Sequence, residues 1–130
     1  MLFRSMRAGA VVLACSSPEI YAERYSEDDK VSSGLGDQGA WSIPYWHTDA
    51  AQVVMQLLLL IENDRWSACF WGNFRYGEAV RELAQLTPSW HLFGSVLIGR
   101  PDGNDQRSRS LNRTVPLRSD RVAWLPREVH

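Results

Sequence analysis

The chain has 130 residues, 45% of them hydrophobic, and a formal net charge of -1. That length suits one domain, and the apolar content suffices for a core, which excludes a disordered chain. The near-neutral charge excludes broad electrostatic attraction to nucleic acid or anionic membranes.

The charge is uneven. Residues 1–99 carry 7 basic and 11 acidic side chains, whereas residues 100–130 carry 7 basic and 4 acidic. A basic end on an acidic body predicts a local anion site. Arg4 and Arg7 followed by residues 8–14 superficially resemble an export signal. The apolar stretch is short and broken by Gly9, so a buried strand is the better reading. The longest apolar run, residues 53–61, is too short to span a bilayer. A cytoplasmic protein without membrane or nucleic-acid partners is expected. Cys15 and Cys69 lack partners at metal or redox spacing and read as buried, unpaired thiols in a reducing compartment.

In chain order, the apolar run of residues 10–15 predicts a central strand covered on both faces. Ser17-Pro18-Glu19 starts a short helix through Tyr25, with a capping hydroxyl, a first-turn proline and an acid at the positive dipole end. Residues 26–40 read as a loop, and Pro44 extends it to about His47. Thr48 and Asp49 then open the strongest element. Across residues 50–61 only Gln52 and Gln56 interrupt the apolar surface, which predicts a buried helix completed by a partner subunit or another segment.

Residues 66–74 read as extended or irregular around Gly72, and residues 77–86 as an amphipathic helix stopped by Pro88. Residues 93–99 form a second strand, broken by Pro101-Asp102-Gly103. Residues 122–125 are a last strand or an anchoring arm. The expected fold is α+β, one domain over residues 1–130, with a small antiparallel or mixed sheet packed on helices around the central helix.

Gly34-Leu35-Gly36-Asp37-Gln38-Gly39 matches a dinucleotide-binding fingerprint literally. It has no strand before it and no helix opening from it, so it reads as a loop. His47, His91 and His130 lack ligands at zinc spacing, so no metal is expected. His47 has two open readings, a plain packing or capping role, or substrate contact. Two segments carry more information. Arg107, Ser108, Arg109, Ser110 and Arg113 could grip a phosphate through guanidinium forks and hydroxyls, or form a solvated basic tail. Cys69-Phe70-Trp71-Gly72-Asn73-Phe74 offers apolar walls, a close backbone approach and a backbone N–H to a flat ligand, or is an aromatic strand bulged at Gly72.

Several segments in this order resemble the FMN-dependent nitroreductase family. They begin with Tyr21-Ala22-Glu23-Arg24-Tyr25 and Trp41-Ser42-Ile43-Pro44-Tyr45-Trp46. Asp49-Ala50-Ala51-Gln52, running into Leu57-Leu58-Leu59-Leu60, and Ala68-Cys69-Phe70-Trp71-Gly72 follow. Val96-Leu97-Ile98-Gly99-Arg100-Pro101 and Arg107-Ser108-Arg109-Ser110-Leu111-Asn112-Arg113 complete the set, over roughly residues 8–125. The resemblance implies an FMN-binding homodimer with the apolar helix at the subunit contact. It places Trp71 and Gly72 beside the flavin ring, and Arg109 and Arg113 on the phosphate with support from Arg107, Ser108 and Ser110. It names no catalytic residue. It implies ping-pong hydride transfer from NAD(P)H through the flavin to a nitroaromatic, a quinone or a similar acceptor.

Three departures qualify it. The family's opening helical segment with an Arg-x-Ser-x-Arg-like motif has no counterpart upstream of residue 8, so the resemblance covers the family's C-terminal part and predicts a truncated site. Asp64-Arg65-Trp66 stands where the family has a Gly-Leu-Gly-like turn, and Thr114-Val115 thins the basic cluster. The alternative is a non-enzymatic α+β dimerisation or binding module that keeps the fold without flavin.

Overall fold

A computed structural model describes residues 8–101, 103 and 112–114. The described elements are β1 (Ala10–Ser16), α1 (Pro18–Tyr25), α2 (Tyr45–Asn63), β2 (Ser67–Trp71), α3 (Gly77–Leu83) and β3 (His91–Gly99). Two short 3-10 turns, Val31–Ser33 and Gln38–Ala40, punctuate the loop between α1 and α2. The architecture is α+β: a three-stranded antiparallel sheet in the order β1-β3-β2, with α2 laid across one face.

The central strand is β3, not β1, which corrects the expectation for residues 10–15. Among the described residues β1 is an edge strand, and Val11 and Val12 are 54% and 40% exposed. An apolar run reports burial tendency but not strand order, which long-range pairing sets. At nine residues, β3 is the longest strand, pairing Ala10–Ser16 on one side and Ser67–Trp71 on the other. Between Ala14 and Cys15 the register shifts: Ala14 faces Gly94 and Cys15 faces Leu92, leaving Phe93 as the extra residue of a β-bulge.

Helix α2 starts at Tyr45, a turn earlier than Thr48-Asp49 suggested. Pro44, with φ -77°, sits at its N-cap, and the His47 N–H donates to the Pro44 carbonyl at 2.9 Å. Thr48 lies inside the helix and donates its hydroxyl back to the Tyr45 carbonyl at 2.9 Å. Asp49 caps nothing; it accepts from Tyr21 Oη at 2.5 Å. The helical period sorts α2 into two faces. Trp46, His47, Ala50, Val54, Leu57, Leu58 and Ile61 are half-buried and lie on one side. Val53, Met55, Leu59 and Leu60 are 57–64% exposed; Met55 and Leu59 lie on the other side, whereas Val53 and Leu60 border the clefts beside the sheet. No residue of α2 is buried within this chain, so full burial is corrected to one covered face and one open one.

Under α2 lies Val96, fully buried at the middle of β3, with Ala14 beside it. Two clefts remain in this seam. One of about 240 Å³ lies between Ala50, Val54 and Leu57 and the β1–β3 pair. The other, of about 470 Å³, lies at the C-terminal end of α2 between Leu57, Ile61, Trp66 and Ile98.

The loop before α2 is folded around Trp41. Its indole N–H donates to the Leu35 carbonyl at 2.9 Å, and its ring meets Tyr25 edge-on at 4.8 Å and Tyr21 at 5.7 Å. Arg24 grips Asp29 through both guanidinium nitrogens at 2.7 and 2.8 Å, holding the turn after α1. Both side chains are exposed, so the pair adds little stability. Gly34, with φ +72°, needs its glycine in the same loop. The fingerprint-like glycines therefore lie in turns, as expected from their context. Residues 122–125 lie outside the described residues.

Candidate functional site

The end of β2 is where the flat-ligand segment comes to rest. Trp71 is the last residue of β2, register partner of Ser95, and is 37% exposed. Gly72 follows, half-buried. Asn73 then turns back to β3: its Nδ2 donates to Ser95 Oγ at 3.0 Å, and Ser95 Oγ lies 3.2 Å from Asn73 Oδ1. One hydroxyl hydrogen and one amide satisfy each other reciprocally, anchoring the turn to a buried position of the central strand. The Phe74 N–H donates to the Gly72 carbonyl at 3.0 Å, closing a three-residue turn. Its ring lies directly on Gly72, where an added Cβ would come within 2.5 Å of Cζ. The Phe74 side chain is otherwise 93% exposed.

A second glycine contact supports this end from below. A Cβ on Gly94 would lie 2.4 Å from the Phe70 ring and 3.1 Å from the Trp71 carbonyl oxygen. The bare backbone of Gly94 thus lets Phe70 lie across β3 and meet Phe93 at 6.0 Å. Phe93 leads on to His47, at 6.4 Å between ring centres.

His47 binds the first turn of α2 to the end of β1: its Nδ1 is 2.8 Å from the buried Ser16 Oγ. The His91 ring lies 5.6 Å away. Burial, and then the neighbouring His91, hold the His47 pKa below its ordinary value of 6.5. Of the two readings left open, the hydrogen bond to Ser16 and the enclosing rings favour packing. Nearby, burial and then the hydrogen bond to Asp49 push the Tyr21 phenol up to about 12, so it remains a donor at neutral pH. The buried Trp46 Nε1 has no partner among the described residues.

The His47 contact predicts a pH dependence of stability. The unfolded chain binds a proton below about 6.5, while folded His47 resists it until lower pH. Its stabilising contribution is thus complete above 6.5 and lost as pH falls toward the folded value. The slope cannot exceed about 1.4 kcal/mol per pH unit for one proton. The groups facing His47 are Ser16 from β1, His91 and Phe93 from β3, and Trp46 of its own helix. Urea midpoints between pH 5 and 8 should fall toward acid, and His47→Gln should flatten that fall. An unchanged slope in His47→Gln would assign the dependence elsewhere.

Trp71 and Gly72 therefore meet at the edge of the sheet as a partly open aromatic and backbone surface. Arg113 is exposed. Arg107, Ser108, Arg109 and Ser110 lie outside the described residues, so their phosphate role remains an expectation from the sequence. Sequence reasoning included Asn73 and Phe74 in the flat-ligand segment without giving either a role of its own, and passed over Ser95. The available signal was Asn73 directly after Gly72, a turn-forming pair between aromatic residues. Neither cysteine forms a disulfide. Cys69 is exposed, which corrects its expected burial: among the described residues β2 lies at the sheet edge. Cys15 is half-buried. Burial raises its pKa, and the Arg81 charge, a neighbour not foreseen from local sequence, partly opposes the rise. Among the described residues no group of three metal-binding side chains occurs, and no helix is long and apolar enough to cross a membrane.

No family model matches the chain, and no curated protein matches it by sequence. Among solved structures, the fold is similar to that of ydfN from Bacillus subtilis, provisionally described as a nitroreductase, with a TM-score of 0.61 and 15% identity. The match covers 91% of this chain and 64% of ydfN, so the chain spans less than two thirds of that protein. At this identity the likeness establishes a nitroreductase-like α+β fold.

Proposed function

We propose that the chain is a nitroreductase-like flavoprotein component that binds FMN and takes part in hydride transfer from NAD(P)H to a nitroaromatic, a quinone or a similar acceptor. The fold likeness over 91% of the chain carries this reading, joined to a motif order that resembles the same family. The fit to the flavin ring rests on Gly72, whose missing side chain lets a flat group lie against the backbone beside Trp71, in the space that the Phe74 ring fills. Arg113, together with Arg109 and supported by Arg107, Ser108 and Ser110, is assigned the phosphate, since a guanidinium fork matches its oxygens. When bound, FMN would supply the two-electron relay; the chain's part is to hold the ring, pair the phosphate charge and exclude water. The open face of α2 supports a homodimer, in keeping with the family.

FMN and riboflavin share the ring and differ at the phosphate, so they separate the two ends of the site. Arg113→Ala should weaken FMN binding by about 1.5–3 kcal/mol, one to two decades, and leave riboflavin nearly unchanged. Flavin-fluorescence titrations measure both. Tight FMN binding that ignores Arg113→Ala would place the phosphate elsewhere. Absence of binding to either flavin would favour a non-enzymatic α+β dimerisation module, the reading that the uncovered apolar face of α2 also supports.

A further inference from the structure

We propose that Phe74 is the specificity-determining cover of the ring seat at Trp71–Gly72, and that a planar heteroaromatic ligand binds by taking the place of its phenyl ring. This rests on the flavin reading of that segment and adds a residue to it.

Three observations carry the inference. The Phe74 ring already occupies the space above Gly72, so close that a Cβ there would lie 2.5 Å from it. One flat ring thus shows that another can approach this backbone. Second, the ring is 93% exposed, so little beyond the Gly72 contact retains it. Third, the turn beneath it is fixed independently. Asn73 is tied to the buried Ser95 by the reciprocal hydrogen bonds, so the phenyl can rotate away without dismantling the seat. Exposing a phenyl ring to water is unfavourable, and resting on Gly72 relieves part of that cost. A planar ligand with more surface than the phenyl ring covers Gly72 better.

A cover that must leave lowers apparent affinity by the fraction of molecules in which the seat is open. Phe74→Ala should therefore bind riboflavin about tenfold more tightly than the parent, if the parent is covered in about nine molecules of ten. Phe74→Tyr keeps a ring and should bind like the parent. The cover also has a ligand-independent signature: a ring so close should shift the Gly72 α-proton resonances. That shift should persist in Phe74→Tyr and vanish in Phe74→Ala. Riboflavin should replace the phenyl shift with its own in the parent. Riboflavin binding by parent and Phe74→Ala with equal affinity, or more weakly by Phe74→Ala, would overturn the cover while leaving the flavin reading intact. Gly72 resonances identical in parent and Phe74→Ala would also overturn it. No flavin bound by any of the three proteins would sink the flavin reading, and the proposed ligand exchange with it.

Discussion

Val96→Asp should abolish the cooperative unfolding transition. Val96 is fully buried at the centre of β3, with Val12 and Phe70 as its register partners and α2 above the strand. Burying a valine side chain contributes about 1.5–3 kcal/mol, which the substitution forfeits. The carboxyl must then either stay charged in an apolar seam or take up a proton there, at a further cost of several kcal/mol. Domains are commonly stable by about 5–15 kcal/mol. Among the described residues only Ala14 and Val96 are buried hydrophobics, so this chain has little reserve. Val11→Asp is the matched control. Val11 is the neighbouring β1 residue with its side chain on the opposite sheet face, 54% exposed, and the change there should cost about 1 kcal/mol. Thermal melts followed by circular dichroism decide the comparison. A Val96→Asp melt within a few degrees of the parent would show that the seam beneath α2 is wet.

The contrast between Val11 and Val96 marks what local sequence could and could not convey. Both lie in apolar runs, and the runs located β1 and β3 correctly as strands. Which strand lies at the centre depends on pairing between residues some 80 positions apart, and no local pattern encodes that. The same limit explains Cys69, whose apolar neighbours suggested burial, although β2 leaves it at the surface. Helix α2 was legible because its apolar content is unmistakable. Its start was misplaced because Thr48 and Asp49 look like caps, while their side chains are committed to Tyr45 and Tyr21. At the candidate site, Trp71 and Gly72 were legible as residue types suited to a flat ligand. The Asn73–Ser95 tie was not, because its partners are 22 residues apart and meet only when β2 pairs with β3. The Ser16–His47 contact, spanning 31 residues, escaped for the same reason.

Two adjacent leucines of α2 should respond in opposite ways to the same change. Leu58 is half-buried, and Leu59, next in the chain, is 64% exposed. Leu58→Lys should cost several kcal/mol or prevent folding, because the ammonium must enter the seam or pull the helix off the sheet. Leu59→Lys should leave the stability of one chain within about 0.5 kcal/mol, as is usual for an exposed position. Its effect should fall on assembly. Met55 lies beside Leu59 on the open side, and Val53 and Leu60, exposed at the border of the sheet-side clefts, extend the exposed apolar surface across Gln52 and Gln56. Such a face is what a homodimer contact would cover. In a two-fold contact each substitution appears twice, so two ammonium groups would be desolvated together. At about 2 kcal/mol each, the dissociation constant should rise by roughly three decades. On a sizing column at micromolar concentration, the parent should run as a dimer and Leu59→Lys as a folded monomer. A parent that is already monomeric would remove the homodimer from the proposal. If Leu59→Lys remains dimeric, the chains meet through another surface, and the open face of α2 must serve something else.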